Sequence, residues 1–582
     1  MLVVLALAAH AADLHVGAGQ AFSTIDDAIQ ASVNGDRLIL WPGTYTLSRN
    51  VNHNVTLVGL GGPDLTVVRG SRPAGVIEIQ GSRSVVLRDL TLDGQLQRRG
   101  LLAPGGSTVQ MERCVVQNGV ADDGGALALL GSSAILESVE VRNHSSPSDA
   151  GCIDVRGSVF VARGVTLEDC TSVADGGAMR LLLDNSATAR VVGSDFRGNS
   201  GGSGGAIWLG SGRSLEVRNT TFVGNEASQQ GGAVILASGA SATLEGVLGR
   251  ANTAGSHGGG LMAVSPVSLS VRGSLWEGNA SHGYGGAVCA STAQAFEVSD
   301  SWFEGNHADW WAGAVCMEAA PASSALRRSM VCGNSTDGDG GGVDASYGSS
   351  VLSHTVFLEN VAESGGAVWG TGYNDVYDHN LALDNTATAG PGAFAIGDAN
   401  GQTAPVERNV FVGNAGVGPA VAYSDAYVPF ANWYFDNPSG HATLLVDSDT
   451  TGIDPGVSHT WGVRCPWSPT PRCSRRTSAR SRATTVRCCS RTSKTPTETA
   501  TPRWSTATTT TRSCTSGRSS AATGSTPTVT GSTTPSIRMP STWCGSRTWT
   551  ATGSGGSAPD GSRVGASVWR PPPRTATTTT PP

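Results

Sequence analysis

Lysine is all but missing from this chain: Lys494 is the only one. Charged residues of any kind make up 15% of the sequence and aromatics 6%. The charges that exist are segregated. From Arg464 onward there are 17 Lys+Arg against two acids, Glu498 and Asp560, which leaves 22 basic and 44 acidic residues before it. A body this acidic lacks the cations that phosphate backbones need, which excludes nucleic acid as a partner. Long apolar runs are missing too, so no integral membrane span is expected. The longest, Leu2 to Ala9, is followed by Ala9-His10-Ala11 and reads as a signal-peptide core with a small-residue cleavage site. An apolar first strand is the alternative. Export to the medium or the cell surface, with outer-membrane association in a bacterium, is the localisation this implies. Zinc spacing is absent among Cys114, Cys152, Cys170 and Cys332.

What fills the chain instead is a repeat. Asn225 to Leu236 reads N-E-A-S-Q-Q-G-G-A-V-I-L, and the phrase recurs. With Gly232 as marker, its equivalents are Gly125, Gly151, Gly177, Gly205, Gly259, Gly286, Gly313, Gly341, Gly366, Gly392 and, degenerately, Pro419, at intervals of 25 to 28 residues. Asparagines keep step at Asn118, Asn143, Asn199, Asn225, Asn252, Asn279, Asn306, Asn334, Asn360, Asn385 and Asn414, with Cys170 in the third slot. A period in this range marks a solenoid in which each unit buries its apolar face only against its neighbours. No unit holds a ten-residue helical period, which argues against ankyrin, leucine-rich and helical arrays. Each instead holds three strand-like pieces, exemplified by Ala233 to Leu236, Ala242 to Glu245 and Thr221 to Gly224, separated by Gly or Asn. Val234, Leu236, Leu244 and Phe222 are expected to point inward. The expected fold is all-β, a column of about twelve coils stacked some 4.8 Å apart.

The recurring letters then have structural roles. The asparagine is expected at a corner of each coil, tolerating left-handed backbone and bonding its amide to the next coil's asparagine; Asn199, Asn225, Asn252, Asn279, Asn306, Asn334 and Asn360 form the core of this ladder. The glycine pair turns the chain into the next strand without a Cβ clash.

Before the repeat, Phe22-Ser23-Thr24-Ile25-Asp26 starts a short helix, with Ser23 as N-cap, Asp26 at the third position and Ile25, Ala28 and Ile29 as its apolar stripe. Arg37 to Trp41 reads as a strand and Pro42 to Tyr45 as a turn. The organisation that follows is residues 1–12 signal peptide, 13–105 N-terminal helical cap and first coils, 106–460 repeat column and 461–582 a disordered low-complexity tail.

The phrase Gly-Gly-Ala-Val-Ile-Leu with Phe222-Val223-Gly224-Asn225 resembles the GGAI/FxxN repeats of the polymorphic outer-membrane protein family. The stretch Phe22 to Tyr45, closing on Pro-Gly-Thr-Tyr, is similar to the start of pectin-lyase-like proteins. The resemblance implies a single-stranded right-handed parallel β-helix over about residues 13 to 460, a fold that hosts both lyases and adhesins.

The tail is read as frame-shifted. Shifted by one base, Thr506–Thr511, Thr575–Thr580, Thr497–Thr501 and Thr548–Thr552 all become Asp-rich phrases resembling thrombospondin type 3 calcium-binding repeats; a Thr/Ser linker is the alternative.

Chemistry, if present, belongs to the segment between Asn and Gly-Gly, the one part free to differ from coil to coil. It carries Asp122, Asp123, Glu226, His257, His282, Tyr284, His307, Asp309, Trp310, Trp311, Asp337, Asp339 and Glu363. Trp310 and Trp311 suit stacking on a sugar or a surface protein, against the alternative of ordinary solvated turns. Asp337 and Asp339 offer a weak calcium site, so no cofactor is assigned. Cys289 and Cys316 share one repeat position and are read as stacked small hydrophobes, with a disulfide as the alternative. The expectation is an exported, non-catalytic surface or adhesion protein. The rival is a polysaccharide lyase or glycoside hydrolase, a reading that would gain from three or more carboxylates and an Arg converging in one cleft.

Overall fold

A computed structural model describes residues 11–437, except for 158, 185–186, 319–322, 347, 373–374, 398–404, 418–419, 424–428, 431 and 436. The expected signal peptide up to residue 10, the degenerate Pro419 marker and the tail read as frame-shifted lie outside the described residues.

Short β-branched runs separated by glycine cannot cover their own backbone polar groups, so each run pairs with its copy one repeat away. The coil beginning at Gly232 shows how. Val234–Leu236 pairs in parallel with Leu261–Val264, Ser241–Glu245 with Ser268–Arg272, Leu248–Arg250 with Leu275–Glu277, and Thr253–Ala254 with Ala280–Ser281. The chain is therefore a parallel β-solenoid. Among the described residues, its first sheet, built from the Gly-Gly-Ala strands, has 14 strands, and its second has 17. The third is the FxxN sheet, continued by a ladder of two-residue strands such as Thr253–Ala254. Sequence reading found three pieces per coil and missed that fourth one, which is too short to show a period. Pairing runs unbroken across Gly106, with Ser84–Arg88 beside Thr108–Glu112.

Alternation fills the column. Val234, Leu236, Leu244 and Phe222 are fully buried in the central cluster, as expected. One interior row on the third sheet runs Phe196, Phe222, Gly249, Trp276, Phe303. Gly249 is glycine because a Cβ there would lie 2.3 Å from the Trp276 ring.

The asparagine ladder exists, with its geometry corrected. Asn279 accepts at Oδ1 from the Asn252 N–H (3.0 Å) and Nδ2 (2.8 Å), and donates from Nδ2 to Gly249 O (3.0 Å) and Asn306 Oδ1 (2.9 Å). The same set recurs from Asn199 to Asn385. The left-handed residue is the one before it: Gly198, Gly224, Gly278, Gly305 and Gly333 all have φ near +60°. Asn118 and Asn143 occupy that preceding position, at φ +57° each, and so stand one residue outside the ladder. The ladder position after Asn143 is His144, fully enclosed. Its Nδ1 accepts from Gly119 N–H (2.9 Å) and its Nε2 reaches Val116 O (3.0 Å), reproducing what an asparagine does. Unpaired with solvent, it resists protonation, and burial pushes its pKa down to about 4. A second ladder went unseen in the sequence. Val247 N–H donates to Ser274 Oγ (3.1 Å), Ser274 N–H to Ser301 Oγ (3.2 Å) and, further on, Asn380 N–H to Asn409 Oδ1 (2.8 Å). Its residue type changes from coil to coil, which hides it.

The helix spans Ile25–Ala31 and is capped by Thr24, whose hydroxyl oxygen accepts from Asp27 N–H (3.1 Å), one residue later than Ser23 and Asp26 suggested. Asp26 instead accepts from Ser48 N–H (2.9 Å) and Arg49 N–H (3.2 Å), tying the helix to the first turn. Ile25, Ala28 and Ile29 are buried as read. Pro42 to Tyr45 is less of a turn than it looked, because Gly43–Leu47 is a strand beside Thr66–Gly70.

Candidate functional site

The first sheet places one side chain per coil on its outer face, since the residues on either side of it point into the core. This row runs Asp154, Arg180, Trp208, Ile235, Met262, Cys289, Cys316, Asp344. Ile235, Met262, Cys289 and Cys316 form an apolar cluster separate from the core, with Trp208 and Tyr284 against it. Cys289 and Cys316 are joined as a disulfide, at a Cα separation of 4.4 Å, which overturns the reading of two unbonded hydrophobes. A further disulfide joins Cys152 to Cys170, 18 residues apart within one coil, and escaped a search for stacked positions.

Beside this row, the variable turns bring several expected residues together. The His257 and Tyr284 rings stack at 4.5 Å and 2°, and Tyr284 stacks on Trp311 at 5.0 Å and 11°. Trp310 meets Tyr284 edge-on at 5.5 Å. Three successive coils thus form a ladder of aromatic faces. Trp310 stays 55% exposed and Trp311 39% exposed, so their surfaces remain open to a ligand. Glycine at 338 is required by this packing, since a Cβ would sit 2.8 Å from the Trp311 ring and still closer to the Trp310 carbonyl. Burial lowers the His257 pKa, which keeps the stacked imidazole neutral near pH 7.

A polar relay lines the same turns. His282 Nδ1 lies 2.8 Å from Asp309 Oδ2, His307 Nε2 3.3 Å from Asp309 Oδ1, and His307 Nδ1 3.0 Å from Ser335 Oγ. A hydroxyl, an imidazole and a carboxylate in sequence are the parts of a nucleophile relay. An acyl transfer would also need backbone N–H groups aimed at an oxyanion. Ser335 N–H is engaged with Asn306 O (2.9 Å), Asn334 N–H with Asn360 Oδ1 (3.0 Å) and Asp337 N–H with Ala308 O (3.3 Å). The relay lies on the same turns as the aromatic ladder.

The remaining expected residues scatter. Asp337 is exposed, and half-buried Asp339 has its pKa raised by burial and by Glu363. Among the described residues no group of three or more His, Cys, Asp or Glu is arranged to hold a metal ion. Asp122 and Asp123 stand about five coils before His257, roughly 25 Å away at the usual rung spacing.

Asp123 belongs to a cluster that sequence reading missed. Arg180 Nε donates to Asp154 (2.9 Å), its Nη1 contacts Asp149, and its Nη2 lies 3.7 Å from Asp123. Arg156 bridges Asp123 (2.8 Å) and Asp154 (2.9 Å). Burial opposes the Arg180 charge, yet the bond and charge of Asp154 and the charges of Asp149 and Asp123 outweigh it and raise its pKa. The signal was there to find: Asp154 and Arg180 interrupt apolar strands, Ile-Asp-Val and Met-Arg-Leu, at one repeat position. Three carboxylates and an Arg do converge. They converge on each other, with Asp154 fully enclosed, and so clasp three coils together.

No family model matches the chain, and no curated protein matches it. Among solved structures, the A-module of an Azotobacter vinelandii mannuronan C-5 epimerase aligns over 71% of this chain and 93% of its own, at 15% identity and a TM-score of 0.23. A mannuronic-acid-specific polysaccharide family 6 lyase from human gut microbiota aligns over 74% and 88%, at 10% identity and 0.26. The Dettilon tailspike protein aligns over 69% and 62%, at 10% identity and 0.16. Overlaps this loose transfer no site to this chain.

Proposed function

We propose that this protein is an exported, non-catalytic column that recognises carbohydrate along its turn face, at the ladder of His257, Tyr284, Trp310 and Trp311. The observation that carries the reading is the open aromatic surface of Trp310 and Trp311, held in place by the Tyr284 stack. Aromatic faces offer a sugar ring a large apolar contact, and they are pre-organised, so little side-chain freedom is lost on binding. Neighbouring His282, Asp309 and His307 supply donors and acceptors for hydroxyl groups. The disulfides Cys152–Cys170 and Cys289–Cys316 fit an oxidising compartment, in keeping with export. The test is a glycan array followed by tryptophan-fluorescence titration of the best hit. Trp310→Ala and Trp311→Ala should each weaken binding at least tenfold. Binding that survives the double variant refutes the site.

The rival reading, a polysaccharide lyase or hydrolase, draws on the carboxylates around Arg180. Of that neighbourhood, half-buried Asp175 keeps a raised pKa, from burial and from Asp149, and so retains acid–base capacity. Product formation from any acidic polysaccharide, lost in Asp175→Asn, would move the function there.

A further inference from the structure

The turn face that carries the aromatic ladder has charge of one sign. In seven successive coils it comprises residues 199–208, 225–235, 252–262, 279–289, 306–316, 334–344 and 360–369, from the ladder asparagine to the outward residue of the first sheet. These stretches hold six acids, Glu226, Asp309, Asp337, Asp339, Asp344 and Glu363, and neither lysine nor arginine. Arginines of the same coils stand elsewhere on the column, paired with acids there: Arg250 with Glu277, Arg272 with Glu297 (3.0 Å) and Arg328 with Asp300 (2.8 Å). At the upstream end, Arg180 neighbours Trp208 in the outer row, but Asp154 and Asp149 already hold its guanidinium. Imidazoles are the remaining source of positive charge beside the rings. Burial lowers the His257 pKa, and His282 and His307 both lie against Asp309, at 2.8 and 3.3 Å, so its carboxylate answers their charge first.

Resting on the carbohydrate reading above, we propose that the ligand of this face is an uncharged glycan, the cation-free turns excluding uronates and sulfated sugars. A negatively charged sugar would lose its water against the rings of Trp310 and Trp311 and gain no cation in return. It would also press further on Asp339, whose pKa burial and Glu363 already raise. A positively charged sugar fares little better. Asp309 is engaged, Asp344 is enclosed, and Glu226 and Asp337 are exposed where water screens them. Hydroxyl groups need neither sign, because they donate to a carboxylate or ring nitrogen and accept from an imidazole N–H. Neutral hexoses and N-acetylated amino sugars meet that description.

Tryptophan-fluorescence titration of the full chain tests this with four oligosaccharides of equal length: a neutral hexose, an N-acetylated amino sugar, its free amine and a uronate. An uncharged oligomer should bind with a Kd that changes less than about twofold between low and high salt, and the uronate should bind about tenfold more weakly or worse. Asp337, exposed one rung beyond Asp309, allows a gain of function: Asp337→Arg should tighten uronate binding about threefold or more and leave the uncharged Kd within about twofold. A uronate or free amine that binds as tightly as the uncharged oligomers, and is lost in Trp310→Ala, overturns the proposal while the carbohydrate reading stands. Uronate binding indifferent to Asp337→Arg overturns it too, since charge would then not be what excludes the acid. If no oligomer of any charge binds, the carbohydrate reading falls and this inference falls with it.

Discussion

Replacing Asn279 by alanine isolates the ladder's contribution, because the residue is fully buried and makes four side-chain hydrogen bonds. Two partners keep something. Asn306 Oδ1 still accepts from the Asn279 backbone N–H (2.9 Å), and Asn252 Nδ2 still donates to Phe222 O (3.0 Å). The Asn252 N–H is orphaned outright, and Gly249 O loses its side-chain donor. One buried donor without a partner costs about 1–3 kcal/mol. With the weakened carbonyl and the void left by the amide, the total is about 3–5 kcal/mol. Local opening of the coils from Asn252 to Asn306 should become easier by that amount, raising amide exchange there by about 150- to 5000-fold while coils before Gly177 keep their rates. Asn118→Ala is the control, since that side chain makes one 3.2 Å bond, to Asp93, from a half-exposed position; with the strain of alanine at φ +57°, its cost should stay near about 1–2 kcal/mol. If the two variants cost the same, or Asn279→Ala costs under about 1 kcal/mol, the corner amides are ornament and the reasoning fails.

His144 is held near pKa 4 against an ordinary 6.5, so the unfolded chain binds the extra proton between those values. Stability should therefore be full above pH 6.5 and fall by up to about 3 kcal/mol as pH drops towards 4, a slope that His144→Asn flattens in urea titrations at each pH. Buried Asp344 has the opposite sign: burial lifts its pKa to about 7, so its stability contribution is lost as pH rises through 7, and Asp344→Asn should raise the melting temperature at pH 8. Arg180→Leu strands the enclosed Asp154 and should cost about 3–5 kcal/mol, whereas Arg156→Leu, 42% exposed, should cost far less; equal losses in chemical denaturation would show the clasp is not centred on Arg180. Gly232→Ala puts a Cβ 2.0 Å from Gly259 O and should abolish soluble expression, while Gly224→Ala, strained at φ +63° but with open space at Cβ, should fold with a loss of about 1 kcal/mol.

The architecture was legible because a solenoid writes its fold into its period. Once Gly-Gly-Ala recurs every 25 to 28 residues, each strand must pair with its own copy, and inward positions such as Phe222 and Val234 follow from alternation. What the period cannot encode is substitution within a fixed geometry. His144 stands in an asparagine's place because its two ring nitrogens meet the same donor and acceptor, an equivalence visible only when Gly119 and Val116 are seen beside it. The same holds for the second ladder, where Ser274, Ser301 and Asn409 serve one role with different side chains.

The candidate site divides along the same line. The variable turn was identifiable as the one segment free to differ, and Trp310 and Trp311 stood out in it by residue type. That Tyr284 and His257 join them while Asp122 and Asp123 do not depends on which coil each occupies and how the turn is bent there. Aspartates 123, 149 and 154 look unremarkable in separate repeats; stacking sets them around Arg180, because lateral neighbours in a solenoid lie a whole repeat apart in the chain. The sequence by itself determined the column, its register and the face on which variation is allowed, all properties of a repeated local pattern. Only the tertiary structure decided which charges neutralise one another and which aromatics stay open, because those depend on neighbours that no local pattern names.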